Sequence, residues 1–185
     1  MTKPTIYLAA GGTGGHLFPA IALARALQKK NFKTIILTDA RAMQYASQTE
    51  GVDLQLLTSG SIYSGGKIKK FLAPLKILLG VLKAMIIMIS NRPVAVIGFG
   101  GYPSFPPLLA ARLLFCKIAI HEQNAVLGRA NRMLSLLGAR IAASYAGTRH
   151  VPSSSRGSMV VTGNPVRPEV LRYKDSAYSR PNENG

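Results

Sequence analysis

The sequence predicts one doubly wound α/β domain, a Rossmann-like parallel sheet with helices on both faces. Three observations carry that prediction. Short apolar runs alternate with stretches of helical period along most of the chain. Glycine-rich loops follow two of those runs directly, at Gly11–His16 and Gly98–Pro107. The length, 185 residues, suffices for one packed core and is short for two.

The elements follow in order. Thr5–Ala10 reads as a buried strand. Leu17, Ile21, Ala24 and Leu27 then recur at helical spacing, with Pro19 in the first turn, where proline is tolerated. Lys33–Thr38 is a second strand, and a short helix over Ala40–Thr49 is closed by Gly51. Asp53–Thr58 is a third strand, followed by a Gly/Ser loop at Ser59–Gly66. A long helical region, Lys67–Ser90, is interrupted by Pro74. Val94–Phe99, Lys117–His121, Arg140–Ala143 and Met159–Thr162 complete the strands. Helices lie between them at Pro107–Leu114 and around Ala130, Met133, Leu134 and Leu137. Residues 1–168 form the expected domain, and 169–185 read as a linker or truncated end, polar from Tyr173 onward.

Charge is the unusual property. Lys and Arg total 23 against 7 Asp and Glu, a net charge of +16. Such a chain belongs beside something anionic: nucleic acid, a membrane face or phosphorylated ligands. Ahead of the C-terminal region the carboxylates are Asp39, Glu50, Asp53 and Glu122, with no two in one motif. A glycoside hydrolase, which needs two facing carboxylates, is disfavoured, and so is a carboxylate-held metal. No metal or other cofactor is expected. The single cysteine, Cys116, leaves no internal disulfide and fits a reducing compartment. No signal peptide is expected, and the longest apolar stretch, Ile77–Ile89, contains Lys83 and falls short of a bilayer span.

Gly-Gly-Thr-Gly-Gly-His at 11–16 lies between a strand and a helix. Glycines let a ligand approach the amide N–H groups, and the helix presents its positive end there. The loop reads as an anion cradle. It lacks the Gly-Lys-Ser/Thr of a P-loop, and Leu17 stands where a dinucleotide fingerprint has its third glycine. The loop at 98–107 repeats that placement, so the two can grip one diphosphate. His16 sits at the helix start, where a positive helix end keeps an imidazole neutral, as a general base must be. His121-Glu-Gln-Asn124 ends a strand, where its polar side chains would face a cleft or form a satisfied buried cluster. Arg167, in Gly163-Asn-Pro-Val-Arg167, can pair with phosphate oxygens. Lys69, Lys76 and Lys83 are spaced seven apart among Leu, Ile and Met, including Leu79. On one helix they suit an anionic bilayer surface, or else a core helix with a solvated lysine edge.

Taken together, 11–19 with Phe18-Pro19, Gly-Gly-Tyr at 100–102, His-Glu-Gln-Asn at 121–124 and Gly-Asn-Pro-Val-Arg at 163–167 resemble the N-terminal half of the MurG family, the peptidoglycan lipid-linked N-acetylglucosaminyltransferases. The resemblance implies a GT-B fold of two Rossmann-like domains. It implies metal-free, inverting transfer of N-acetylglucosamine from UDP-N-acetylglucosamine to an undecaprenyl-diphosphate-linked muramyl pentapeptide. That activity serves peptidoglycan synthesis, and through it cell shape and division. By motif match, Thr13, Gly14, Gly15, Asn124 and Arg167 fall on donor-contacting positions and His16 on the general base. Gly12, Gly100, Gly101 and Tyr102 fall on the acceptor diphosphate. The N-terminal domain is then expected at the cytoplasmic face of the cell membrane, bound peripherally. The family's second domain supplies most of the donor pocket; the chain ends shortly after Arg167, so it is expected to be inactive without that donor domain.

Two other readings stay open on sequence alone. Asp39, ending the second strand, is where the ribose-binding acid of a nicotinamide dinucleotide oxidoreductase would sit. The net charge would suit a nucleic-acid module, but no aromatic–basic stacking motif appears, so nucleic acid is not expected as a partner.

Overall fold

The protein is described by a computed structural model covering residues 3–57 and 73–173. Its centre is a seven-stranded sheet in the order β3-β2-β1-β4-β5-β6-β7, with every neighbouring pair parallel. The strands are β1 Thr5–Ala9, β2 Lys33–Thr38, β3 Asp53–Leu56, β4 Ala95–Gly98, β5 Lys117–Glu122, β6 Arg140–Ala143 and β7 Met159–Val161. The helices are α1 Gly14–Lys29, α2 Ala73–Ser90, α3 Phe105–Leu113, α4 Arg129–Leu136 and the single turn α5 Pro168–Leu171. Short 3₁₀ segments occupy Ala40–Gln48, Tyr102–Ser104 and Ser153–Ser158.

A parallel sheet covered on both faces needs apolar residues on both sides of each strand. β1 shows this directly, with all five residues of TIYLA buried. One core holds Ile6, Leu8, Leu17, Ile21, Ile36 and Phe99 beneath α1. The other holds Tyr7, Leu37, Met88, Val96, Leu108, Ile120, Leu134 and Ile141 beneath α2, α3 and α4.

One element differs from the sequence expectation, and one expectation is only partly covered: Pro74 is the second described residue of α2, and the residues before Ala73, which decide whether it interrupts a longer helix, lie outside the described residues. The segment after β2 is a 3₁₀ turn with non-helical geometry at Tyr45 rather than a regular short helix. The expected loop at 59–66 and the first part of the expected helix at 67–72 lie outside the described residues, as does 174–185.

The strand order fixes where a ligand can go. From β1 the chain moves outward through β2 and β3, then returns to place β4 on the other side of β1. The loops leaving β1 and β4 therefore diverge to opposite faces and leave a crevice at the carboxyl edge. These are the two glycine-rich loops.

Candidate functional site

The two loops are joined to each other. Gly11 N–H donates to Gly100 O at 3.2 Å. Gly101 has φ +75°, and a Cβ there would lie 3.3 Å from Gly11 Cα. Gly100 has φ +88°, and a Cβ on it would come within 3.2 Å of His16 Nε2 and Cδ2. A side chain at 100 would be strained and would cover the imidazole edge.

Gly12 departs from the sequence expectation. It is buried, and its N–H turns toward Asp39 Oδ2 at 3.4 Å rather than into the cleft. A Cβ at 12 would fall 2.5 Å from Asp39 Oδ1 and 2.6 Å from Ala42 N. Its role is to let β1 and the turn after β2 close together. Asp39 is consumed in the same contact. Arg41 donates to it from Nη2 at 2.7 Å, Nε at 3.0 Å and the backbone N–H at 2.8 Å. Burial pushes the Asp39 carboxyl up, but the Arg41 hydrogen bonds outweigh it and hold the group below its usual range. A carboxylate engaged in this way is poorly placed to receive a ribose, which removes the main support for the dinucleotide reading.

α1 begins at Gly14 with Thr13 in the N-cap position, yet the Thr13 hydroxyl caps no amide. It stands 2.9 Å from His16 Nδ1 instead. Gly14 and Gly15, the first residues of the helix, keep N–H groups with no intrahelical partner. A Cβ on Gly15 would meet nothing within 4 Å, so this end is open. Burial lowers the His16 pKa, and Arg41 lowers it further against the opposing pull of Glu122. The lowered pKa favours the neutral imidazole, and burial is its main cause rather than the helix end.

A cavity of about 260 Å³ opens beside His16, lined by Gly100, Gly101, Tyr102, Glu122, Asn124 and residues 128–131. Its far wall is built on Glu122, 2 % exposed. Glu122 Oε1 accepts from Asn124 N–H at 3.1 Å and Nδ2 at 2.9 Å; Oε2 accepts from Gly128 N–H and Asn131 Nδ2, both at 2.9 Å. Asn131 also donates to His121 O at 3.2 Å, while its buried Oδ1 has no hydrogen-bond partner. His121 is tied through Nε2 to Gly163 O at 3.0 Å, and burial lowers its pKa. His121 and Glu122 are thus scaffold, and Asn124 lines the cavity.

A second cavity, of about 420 Å³, is lined by Gly14, Gly15, Phe18, Pro19, residues 164–167 and Val170. Arg167 stacks its guanidinium carbon 4.3 Å from the Phe18 ring centroid, and Phe18 meets the Tyr45 ring edge-on at 5.1 Å. Gly14, Gly15 and Arg167 therefore line one opening. Asn124 does not join them and lies with the His16 group. Sequence reasoning missed Asn131, the Phe18 platform beneath Arg167 and Gly128; each depends on contacts between distant segments.

The glycosyltransferase family 28 N-terminal domain matches residues 6–143. The chain belongs to that family. It is 42% identical over 181 residues to the UDP-N-acetylglucosamine–N-acetylmuramyl-(pentapeptide) pyrophosphoryl-undecaprenol N-acetylglucosamine transferase of Rhodospirillum centenum, covering 98% of this chain and 48% of that protein. It is 44% identical over 177 residues to the transferase of the same name from Paramagnetospirillum magneticum, covering 96% and 48%. Among solved structures, Acinetobacter baumannii MurG superposes with a TM-score of 0.73 at 32% identity, over 95% of this chain and 50% of that one. The chain spans about half the length of the curated relatives it matches. The sheet is the N-terminal Rossmann-like domain of a GT-B glycosyltransferase.

A separate surface lies on α2. Leu79 is 56% exposed, Ile86 67% and Ile89 66%, with Leu75, Leu78 and Leu82 also exposed. Lys76 and Lys83 are exposed on the same helix, and Lys83 Nζ donates to Leu56 O at 3.3 Å. Lys69 lies outside the described residues. α3 packs on α2, and just past its end Phe115 is 85% exposed. Among the described residues no helix is long and apolar enough to cross a membrane.

Proposed function

We propose that the chain is the acceptor-side half of an inverting transferase. It would move N-acetylglucosamine from UDP-N-acetylglucosamine to an undecaprenyl-diphosphate-linked muramyl pentapeptide at the cytoplasmic face of the membrane, in peptidoglycan synthesis. The observation that carries the reading is the neutral His16 imidazole at the seam of two glycine loops whose backbones meet through Gly11 and Gly100.

In this reading the acceptor diphosphate lies against the Gly100–Tyr102 loop. His16 Nε2, left uncovered by Gly100, takes the proton of the acceptor hydroxyl as that oxygen bonds to the anomeric carbon. The bond from that carbon to UDP breaks on the opposite side, which inverts the centre. Gly14 and Gly15 amides, with Thr13 and Arg167, face the donor diphosphate and offset its charge. Asn124 sits in the His16 cavity, so we place it on the acceptor sugar rather than the donor. The exposed apolar residues of α2, with Lys76, Lys83 and Phe115, rest on an anionic bilayer, where lysine heads reach lipid phosphates. A donor-binding domain completes the cleft, since half a cleft cannot orient two substrates.

The test is to assay the chain alone and joined to the donor domain of a relative, using vesicles containing the lipid-linked acceptor. The chain alone should bind the vesicles, more weakly as salt rises, and turn nothing over. The joined protein should transfer the sugar and lose that transfer on His16→Ala. Failure of the joined, folded protein to transfer N-acetylglucosamine would refute the reading.

A further inference from the structure

Beyond the His16 cavity lies a third opening, of about 580 Å³, that the transferase chemistry does not use. Arg149, His150, Arg156, Thr148, Gly147 and Met159 line it. Among the described residues, neither guanidinium has an ion pair or a side-chain hydrogen bond, although both side chains are exposed. No Asp or Glu lines the opening. The nearest described acid in sequence, Glu169, pairs with Arg25 at 3.9 Å, and Glu122 has both oxygens taken by Asn124, Gly128 and Asn131. Two unneutralised forks in one concave site favour a carboxylate or phosphate ligand.

Its position says which. Residues 125–127 join Arg149 to the segment whose ends wall the His16 cavity. Leu127 N–H donates to Arg149 O and Arg149 N–H to Ala125 O, both at 2.9 Å, with a parallel bridge between Val126 and Arg149. Asn124 and Gly128, at the two ends of that segment, line the His16 cavity. The basic opening thus adjoins the segment between Asn124 and Gly128, reaching from the loop after β6 to Arg156 and Met159 at the start of β7. An acceptor whose hydroxyl meets His16 would send an attached chain across 125–127 into it.

We infer that Arg149 and Arg156 form a subsite for the carboxylates of a peptide attached to the acceptor sugar. This rests on the acceptor reading above and adds to it a recognition of the peptide. A peptide held at one end keeps a terminal carboxylate, and a planar fork binds it through two parallel N–H···O bonds. The subsite would select acceptors carrying the peptide over bare sugar-diphosphates.

The test uses this chain and three soluble probes: a muramyl pentapeptide without lipid or diphosphate, the same compound with its carboxylates converted to amides, and a short-chain prenyl diphosphate. Binding is followed by calorimetry. The acidic peptide should bind, the amidated one should bind at least about tenfold more weakly, and Arg149→Gln with Arg156→Gln should produce a similar loss. Prenyl diphosphate binding should be unchanged in that double variant, and Arg→Lys at both sites should recover part of the peptide affinity. A folded double variant that binds the peptide as the parent does, or a parent indifferent to amidation, overturns the inference and leaves the acceptor reading standing. Displacement of the peptide by a short RNA, rather than by a second acidic peptide, also overturns it. If neither peptide nor prenyl diphosphate binds, both readings fall.

Discussion

The Thr13 hydroxyl and His16 Nδ1 stand 2.9 Å apart, across the first turn of α1. The direction of that hydrogen bond sets which ring nitrogen is basic. If Nδ1–H donates to Thr13, Nε2 is bare and faces the Gly100 loop; if the hydroxyl donates, Nε2 carries the proton and cannot act as the base. The proposed chemistry requires the first. Nitrogen NMR of the His16 ring should show the Nδ1–H form dominant. Thr13→Val should shift the ring toward Nε2–H and, in the protein joined to a donor domain, lower kcat by roughly tenfold or more with a smaller effect on KM.

Two glycines of the first loop should respond oppositely to alanine. Gly12→Ala drives a methyl into Asp39 and the backbone at Ala42, and should cost on the order of 2 kcal/mol or more in urea unfolding. Gly15→Ala meets open space at a helix start and should leave stability unchanged or raise it by up to about 1 kcal/mol. The same Gly15 change should weaken binding of UDP or pyrophosphate, because the methyl stands where the anion approaches the amides. Equal destabilisation by both substitutions would contradict the packing described at Gly12.

Acid should destabilise the domain through His16 and His121. The folded pKa values of His16 and His121 both lie below the ordinary histidine value, chiefly through burial. Between the folded value and about 6.5, the unfolded chain binds protons that the folded chain refuses. Stability is therefore full above about pH 7 and declines as pH falls through that window. His121→Gln should flatten the profile below about pH 7, measured by urea unfolding at several pH values. Asp39, whose pKa is lowered, adds a separate loss only at more acidic pH, as its carboxylate is protonated away from Arg41.

The exposed face of α2 separates membrane binding from folding. Ile86 and Leu79 are more than half exposed, so Ile86→Glu or Leu79→Glu should change stability by less than about 0.5 kcal/mol. Flotation with anionic vesicles should nonetheless fall severalfold. Lys76→Ala with Lys83→Ala should reduce the salt sensitivity of whatever binding remains.

Most of the sheet is legible in the sequence because a doubly covered parallel strand is a continuous apolar run. Lys33–Thr38 and Arg140–Ala143 are found with the limits the sequence predicts, and the other strands differ by a residue or two at an end. The site is legible in part. His16 and the glycine loops declare themselves by following strands. The burial of Gly12 against Asp39, 27 residues away in sequence, does not, because it is set by how β1 and β2 end side by side. Nor does the separation of Asn124 from Arg167, which depends on how the 124–131 segment folds around Glu122.

The central claim is that the loops after β1 and β4 hold two diphosphates on either side of His16, the donor's at Gly14 and Gly15 and the acceptor's at Gly101 and Tyr102. Titrating UDP and a short-chain prenyl diphosphate in turn into the isotopically labelled chain while following backbone amides tests it most directly. The account predicts that UDP shifts Gly14 and Gly15, that the prenyl diphosphate shifts Gly101 and Tyr102, and that the His16 ring responds to both. The same loop shifting for both ligands, or changes only at surface lysines and arginines, would contradict it.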